Sequence, residues 1–457
     1  MVAVKRTSVA NWGRYPVEEA SVTRPESWSA LDAALGEREL GPAIARGLGR
    51  SYGDASLNER GQVIDCTRLD RMLAFDEEGG ALTAEGGVTL KRIVEAFLPR
   101  GWFLPVTPGT RYVTLGGAIA ADVHGKNHHG EGSIARYVDA FELVLPSGEA
   151  VVCSRDENAE LFFGTLGGMG LTGVIRWATL RLRRVETNSM TVTYTRARDL
   201  RECFEAFGDD AAGANAQPYA VAWIDCLAGG AKLGRSVIMA GRHTRLDELA
   251  AEERRSALRP APERCRNVPI DFPGAALNKW SVKAFNAAYF HKHDDGVKLE
   301  PLQSFFYPLD AVSNWNRIYG KRGFQQYQVV LPFDAAERGM RELLTRLSRS
   351  GRASFLAVLK TMGPESGGVM SFPMPGWTLA LDLANAPGLN RLLRELDEVT
   401  LSFNGRRYLA KDASLDPSFV SRMYPRLEEF RALRDRIDPE RRLSSSLSRR
   451  LGLDGPR

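Results

Sequence analysis

The sequence predicts an α+β fold in two domains, and three observations carry that reading. The chain has 457 residues, more than a single core usually organises. Residues 1–185 are glycine-rich and hold short strand patterns broken by glycine turns. Past residue 190 the glycines thin out, and strands and helical stripes follow one another in βαββαβ order. That order marks an antiparallel sheet with its helices on one face.

In chain order, PAIARGLGRSYG (42–53) runs from a short apolar strand into a glycine loop. QVIDC (62–66) and RMLAFD (71–76) read as short strands, EEGG (77–80) as a turn and ALTAEGG (81–87) as the next strand. Leu90, Ile93, Val94 and Phe97 recur at i, i+3, i+4 and i+7, which predicts an amphipathic helix with Thr89 as its N-cap. Residues 138–155 read as a hairpin turning at Pro146-Ser147-Gly148. Farther on, QYQVVLP (326–332), SFLAVLK (354–360), WTLALDL (377–383) and RRYLAK (406–411) are strand candidates. Met340, Leu343, Leu344 and Leu347 form one helical stripe; Leu389, Leu392, Leu393, Leu396 and Phe403 form another. Residues 267–296 have irregular aromatics and weak periodicity, and read as a long loop or insertion.

Composition excludes several classes. The apolar fraction is 44%, and no run of about 18 apolar residues suits a membrane span. The N-terminal stretch lacks an apolar signal core, so a cytoplasmic location is expected. Cys66, Cys153, Cys203, Cys226 and Cys265 are scattered, which suggests reduced thiols and neither disulfides nor zinc. The net charge of +5 is mild. Two basic stretches, 184–201 and 446–457, are candidates for phosphate or anionic-membrane contact or for plain solvated surface. No nucleic-acid motif is present.

Strand alternation assigns faces. Leu379, Leu381 and Leu383 share one face, while Thr378, Ala380 and Asp382 share the other; Gln326 and Gln328 lie together, opposite Tyr327 and Val329. The leucine face should pack on helices, leaving the small and polar face for solvent or a ligand. A G-x-G-x-x-G does occur at 168–173, but it precedes a strand-like segment and lacks the strand-to-helix setting of a dinucleotide fingerprint. Two other glycine clusters, 46–54 and 108–125, suit a pair of anion nests for a diphosphate. Three of the six histidines, His124, His128 and His129, crowd around Lys126. The glycines disfavour a helix there, and the lysine opposes a cation, so no metal site is expected. Ordinary loop histidines, or an edge facing an anionic or redox-active ligand, are the alternatives.

ARGLGRSYGD (45–54), TLGGAIAADVHGKNHHGEGS (114–133), GGMGLTG (167–173) and YLAKD (408–412) together resemble the FAD-binding domain of the vanillyl-alcohol-oxidase (PCMH) type. With GFQQYQ (323–328), SFPMPGW (371–377) and SRRLGL (448–453), nearly the whole chain resembles the decaprenylphosphoryl-β-D-ribose 2′-oxidase family. The resemblance implies a flavin domain from residues 1–188 completed by 406–457, and a substrate domain over 189–405 whose antiparallel sheet covers the flavin. It implies noncovalent FAD held by Gly47, Gly49, Arg50, Ser51, Tyr52 and Gly53, by Gly109, Thr114, Gly116, Gly117 and Ala121, and by His124, Ile175 and Tyr408. Lys126, Lys360, Gln326, Gln328, Trp223, Thr378 and Ala380 would line the sugar-phosphate pocket, with Lys411 at the flavin edge. Lys411 and Lys126 are the catalytic candidates.

The implied reaction oxidises the 2′-hydroxyl of a polyprenylphosphoryl ribose, and an NADH-dependent short-chain reductase partner then completes an epimerisation that feeds cell-wall arabinan. A related oxidase of another sugar or alcohol, or a non-catalytic flavin-binding scaffold, are the alternatives. Phe272, Trp280, Phe285, Tyr289 and Phe290 are an apolar supply for peripheral membrane contact or for simple packing. The family resemblance also allows placement in the cell envelope. The chain departs from the best-studied members at Phe306 (tyrosine there), Thr378 (asparagine) and Ala380 (cysteine). Because that cysteine is the point of covalent capture by nitroaromatic inhibitors, this chain is expected to escape it.

Overall fold

The computed structural model describes residues 3–208, 213–260, 265–274, 277–352, 354 and 356–455. Near the N-terminus, Val4–Ala10, Val17–Thr23, Ala43–Arg46 and Gln62–Asp65 form a four-stranded sheet in which 43–46 and 62–65 run parallel. A second, antiparallel sheet has the order Met72–Phe75, Ala81–Glu85, Val174–Arg181, Val138–Val144, Ala150–Ser154. The helix Leu90–Phe97 packs its four apolar residues inward, and Thr89 Oγ1 accepts from Arg92 N–H at 3.1 Å.

The third sheet has eight antiparallel strands: Gly296–Pro301, Ser189–Ala197, Ser236–His243, Tyr219–Ile224, Ala357–Met362, Gly376–Ala384, Phe324–Leu331 and Arg406–Arg407. Its two faces separate as alternation requires. Tyr327, Val329, Leu379, Leu381 and Leu383 share a buried core with the stripes of helices Phe333–Ser350 and Leu389–Ser402. Gln326, Gln328, Thr378 and Ala380 face away from those helices into a cavity.

The structure corrects four expectations. The sheet extends into residues 189–243. There Met190, Val192 and Tyr194 are buried at period two, hidden in the sequence by intervening threonines and flanking arginines. Residues 279–292 of the expected loop form a helix, Lys279–Lys292, with Asn278 as N-cap. Its inward stripe escaped detection because it includes Asn286, which is fully buried and donates to Asp225 at 2.7 Å. RRYLAK is a strand only at 406–407; Leu409–Lys411 is a 3₁₀ turn. In the C-terminal basic stretch, Arg450 donates to Asp54 and Asp412 inside the molecule. Residues 275 and 276 of the expected loop, and residue 355 of the expected strand, lie outside the described residues.

The last segment returns to the first. Val420, Leu447 and Leu451 share a core with Ala20, Ile44 and Val63, and Ala43 N–H donates to Arg442 O at 2.7 Å. A buried ion network bolts this seam to the third sheet. Arg407 bridges Asp397 at 2.9 Å and Asp412 at 3.1 Å, all three side chains having no exposed surface. Burial alone raises a carboxyl's pKa, but Arg450 and Arg407 hold Asp412 down to about 2. Arg407→Ala leaves two buried carboxylates without this partner and should lower stability by about 3–5 kcal/mol. Denaturant melts check this, and an unchanged midpoint would show that the network is not structural.

Candidate functional site

A cavity of about 730 Å³ lies between the glycine loops of the N-terminal part and the polar face of the third sheet. Its walls include every site residue expected from the sequence except Gly53. Gly53 lies behind the wall, where an added Cβ would sit 1.7 Å from the Asp412 carbonyl oxygen. Its role is therefore close backbone packing.

The glycine walls are tight. Gly49 has φ +61°, and a Cβ on Gly47 would fall 2.2 Å from Thr114 Oγ1. Thr114 caps the short helix Leu115–Ala120, accepting from Gly117 N–H at 3.3 Å, while Gly116 N–H donates to Gly86 O at 2.8 Å. Ile175 sits at the irregularity in the 174–181 strand, its carbonyl 2.3 Å from where a Gly86 Cβ would be. Arg50 stacks over Trp12 at 3.8 Å. Tyr408 donates to Ala121 O at 2.7 Å and stacks on Phe372 at 4.6 Å. Gly109 lines the cavity with open space beside it.

His124 occupies the junction between the two halves. The Gln328 amide nitrogen Nε2 can only donate, so His124 Nε2, at 3.0 Å, is the acceptor. Burial, then the charges of Lys360, His128 and Lys411, push the imidazole pKa well below its usual value. A neutral ring with Nε2 accepting carries its proton on Nδ1, which is buried and has no hydrogen-bond partner among the described residues. His128 and His129 instead tie the loop to the third-sheet domain. His128 Nδ1 accepts from Gly363 N–H at 3.0 Å, and His129 Nε2 contacts Gln217 O at 3.0 Å.

Four lysines line the cavity, the exposed Lys292 and three others that lie deeper. Lys126 donates to Phe305 O and lies 4.0 Å over that ring. Burial pushes its pKa down to about 7. Lys360 donates to Gly125 O at 2.6 Å, and burial, with the charges of Lys126 and Lys411, brings it to about 7. Lys411 lies 3.9 Å over the Tyr52 ring. Burial lowers the Lys411 ammonium and raises the Asp382 carboxyl nearby.

Gln328 also donates to Thr378 Oγ1 at 3.3 Å and faces Ala380 across the strands. Trp223 packs its ring 4.6 Å from Tyr289. Phe306 lines the cavity edge-on to Tyr219. The sequence reading missed Asp382, Tyr194, Glu300 and Phe305 as site residues. Asp382 had a signal, since alternation already placed it beside Thr378 and Ala380; it accepts from Gln326 at 2.5 Å. Tyr194 and Glu300, joined by a 2.6 Å hydrogen bond, lie on strands that the sequence did not reveal.

These walls fit FAD. Glycines give close backbone approach for a diphosphate, cations offset its charge, and His124 Nδ1 is a buried donor at the junction. The comparisons agree. The model of an FAD binding domain matches residues 20–154, and that of D-arabinono-1,4-lactone oxidase matches residues 382–451. The chain is an FAD-dependent oxidoreductase. It is 37% identical to decaprenylphosphoryl-β-D-ribose oxidase of Mycolicibacterium smegmatis over 97% of this chain and 96% of that one. It is 36% identical to an uncharacterized Streptomyces coelicolor protein over 80% of this chain and all of that one. Identity to the mitochondrial L-galactono-1,4-lactone dehydrogenase of Arabidopsis thaliana is 26%, over 38% of this chain and 29% of that one. The chain belongs to the decaprenylphosphoryl-β-D-ribose oxidase family.

The depressed lysines give a stability prediction. A buried lysine whose pKa falls from 10.5 to about 7 destabilises the fold below pH 7, and the penalty fades as pH rises towards 10.5. For Lys360 the penalty is at most about 5 kcal/mol, against about 1–3 kcal/mol for losing its hydrogen bond. In flavin-loaded, substrate-free protein, Lys360→Met should raise Tm by a few degrees at pH 6.5 and give no gain near pH 10. A lower Tm at both pH values would refute the charge-strain account.

Proposed function

We propose that this chain oxidises the 2′-hydroxyl of a polyprenylphosphoryl-β-D-ribose to the 2′-keto sugar, with FAD bound noncovalently. The observation that carries this reading is the meeting of three lysines, two glutamine side chains and an apolar arm in one cavity. Lys360 supplies charge for a phosphodiester-like anion, and Gln326 and Gln328 supply hydrogen bonds to sugar hydroxyls. Val221, Trp223, Met239, Tyr289 and Phe305 offer an apolar path for the start of a lipid chain.

Oxidation of a secondary alcohol removes a hydride from carbon and a proton from oxygen. FAD, when bound, is the hydride acceptor. Lys411 holds a fixed cation at the cavity wall, positioned on Tyr52 and beside the buried Asp382, and stabilises negative charge that develops there. The amine of Lys126, whose pKa burial brings to about 7, is able to accept the hydroxyl proton around neutral pH.

Residues 1–188 and 406–457 act as the flavin domain, and 189–405 as the substrate domain. The keto product requires a carbonyl reduction to become the epimer, which calls for an NADH-dependent reductase partner. No helix among the described residues is long and apolar enough to cross a membrane. The proposed contact with a lipid-borne substrate is peripheral.

Anaerobic mixing with farnesylphosphoryl ribose should bleach the flavin absorbance, while free ribose should not. Bleaching by free sugars alone would support a soluble-sugar oxidase instead. Lys411→Ala should slow bleaching about 10²–10³-fold with flavin still bound. Unchanged kinetics in that variant would remove Lys411 from the mechanism.

A further inference from the structure

We propose that the Lys279–Lys292 helix docks the mouth of the cavity onto an anionic lipid surface. The proposal rests on the reading of a lipid-borne substrate for its purpose, but its evidence is independent of turnover. The two faces of this helix differ in kind. Val282 and Asn286 are buried, and one turn further on Tyr289 and the following His293 line the cavity. His293 stacks on Tyr194 at 5.2 Å, so the inner face of the helix forms part of the cavity wall.

The outer face runs the other way. Trp280 is 77% exposed, and at helical spacing it is followed by Ala284, Ala287, Ala288 and His291. Phe285, also exposed, flanks this small-residue strip. A large indole standing on a flat alanine surface is costly in water and well suited to the headgroup region, where tryptophan is enriched. The helix carries Lys279, Lys283 and Lys292 and no carboxylate. Asp294 and Asp295, exposed just beyond the helix, pair with Arg196 at 3.8 Å, so the lysines at the Trp280 end set the sign of the surface there. An exposed aromatic among lysines is the pattern of an interfacial helix on anionic lipid. A protein partner buried against this surface would need carboxylates of its own opposite the lysines; a bilayer supplies the negative charge by default. Docking here brings Tyr289, Lys292 and His293, and with them the cavity mouth, to the level at which a lipid phosphate lies.

Flavin-loaded protein is mixed with phosphatidylcholine vesicles, with and without phosphatidylglycerol, and binding is read by co-sedimentation. Binding should be on the order of 100-fold tighter to the anionic vesicles and should weaken as salt rises. The double variant Lys279→Glu, Lys283→Glu should lose that preference while keeping its flavin and Tm. Brominated lipid should quench tryptophan fluorescence in the parent protein, and Trp280→Phe should remove most of that quenching. Equal or absent binding to both vesicle types overturns the proposal. So does a dimer in light scattering that Trp280→Ala dissolves in a protein that ignores vesicles. Protein that binds anionic vesicles but is not bleached by the polyprenyl sugar keeps this docking surface and loses the substrate reading. Protein that is bleached but does not bind vesicles does the reverse.

Discussion

An excess of positive charge drawn together in one cavity is the constraint on which the site depends. Lys126, Lys360 and Lys411 converge from three separate elements, with Glu300 on the wall and Asp382 behind Lys411 as the carboxylates near them. Glu300 already accepts from Tyr194. Burial depresses each lysine, so the cavity walls hold their charge reluctantly. An interior of this kind is stable in full only with an anion inside it. The glycine walls, the aromatic shelves under Arg50 and Lys411, and the polar sheet face all serve to position charges towards a shared space.

Two structural devices make that arrangement possible. Backbones approach closely at Gly53 and Gly86, and the Thr114 side chain packs against Gly47, where no side chain fits. The Arg407–Asp397–Asp412–Arg450 network then joins the third sheet, the 409–411 turn and the C-terminal return, with Asp412 directly beside Lys411 in the chain. A cationic residue is thus carried on a turn whose neighbour is clamped by two arginines. His124 plays the matching part on the other side, its acceptor nitrogen held by Gln328 and its proton left on Nδ1.

Much of this was legible in the sequence where the signal is local. The 90–97 helix, the 138–155 hairpin and the two helical stripes declare themselves by period and turn chemistry. Alternation alone placed Gln326, Gln328, Thr378 and Ala380 on the face opposite the helices. The strands at 189–197 and 219–243 were less visible, because threonines and arginines share their exposed positions. The 279–292 helix was masked by Asn286, a polar residue at a core position that only its bond to Asp225 explains. The convergence of Lys126 with Lys360 and Lys411, far along the chain, is accessible only through family resemblance; no local pattern encodes it.

The central claim, that this cavity is charged for an anion and strained without one, is tested most directly by proton uptake on ligand binding. Titration of flavin-loaded protein with farnesyl phosphate, a non-reacting anion, in buffers of different ionisation enthalpy gives that number. Near pH 8 the account predicts uptake on the order of one proton, as lysines depressed to about 7 are drawn back to ammonium. Binding with no proton uptake would contradict it.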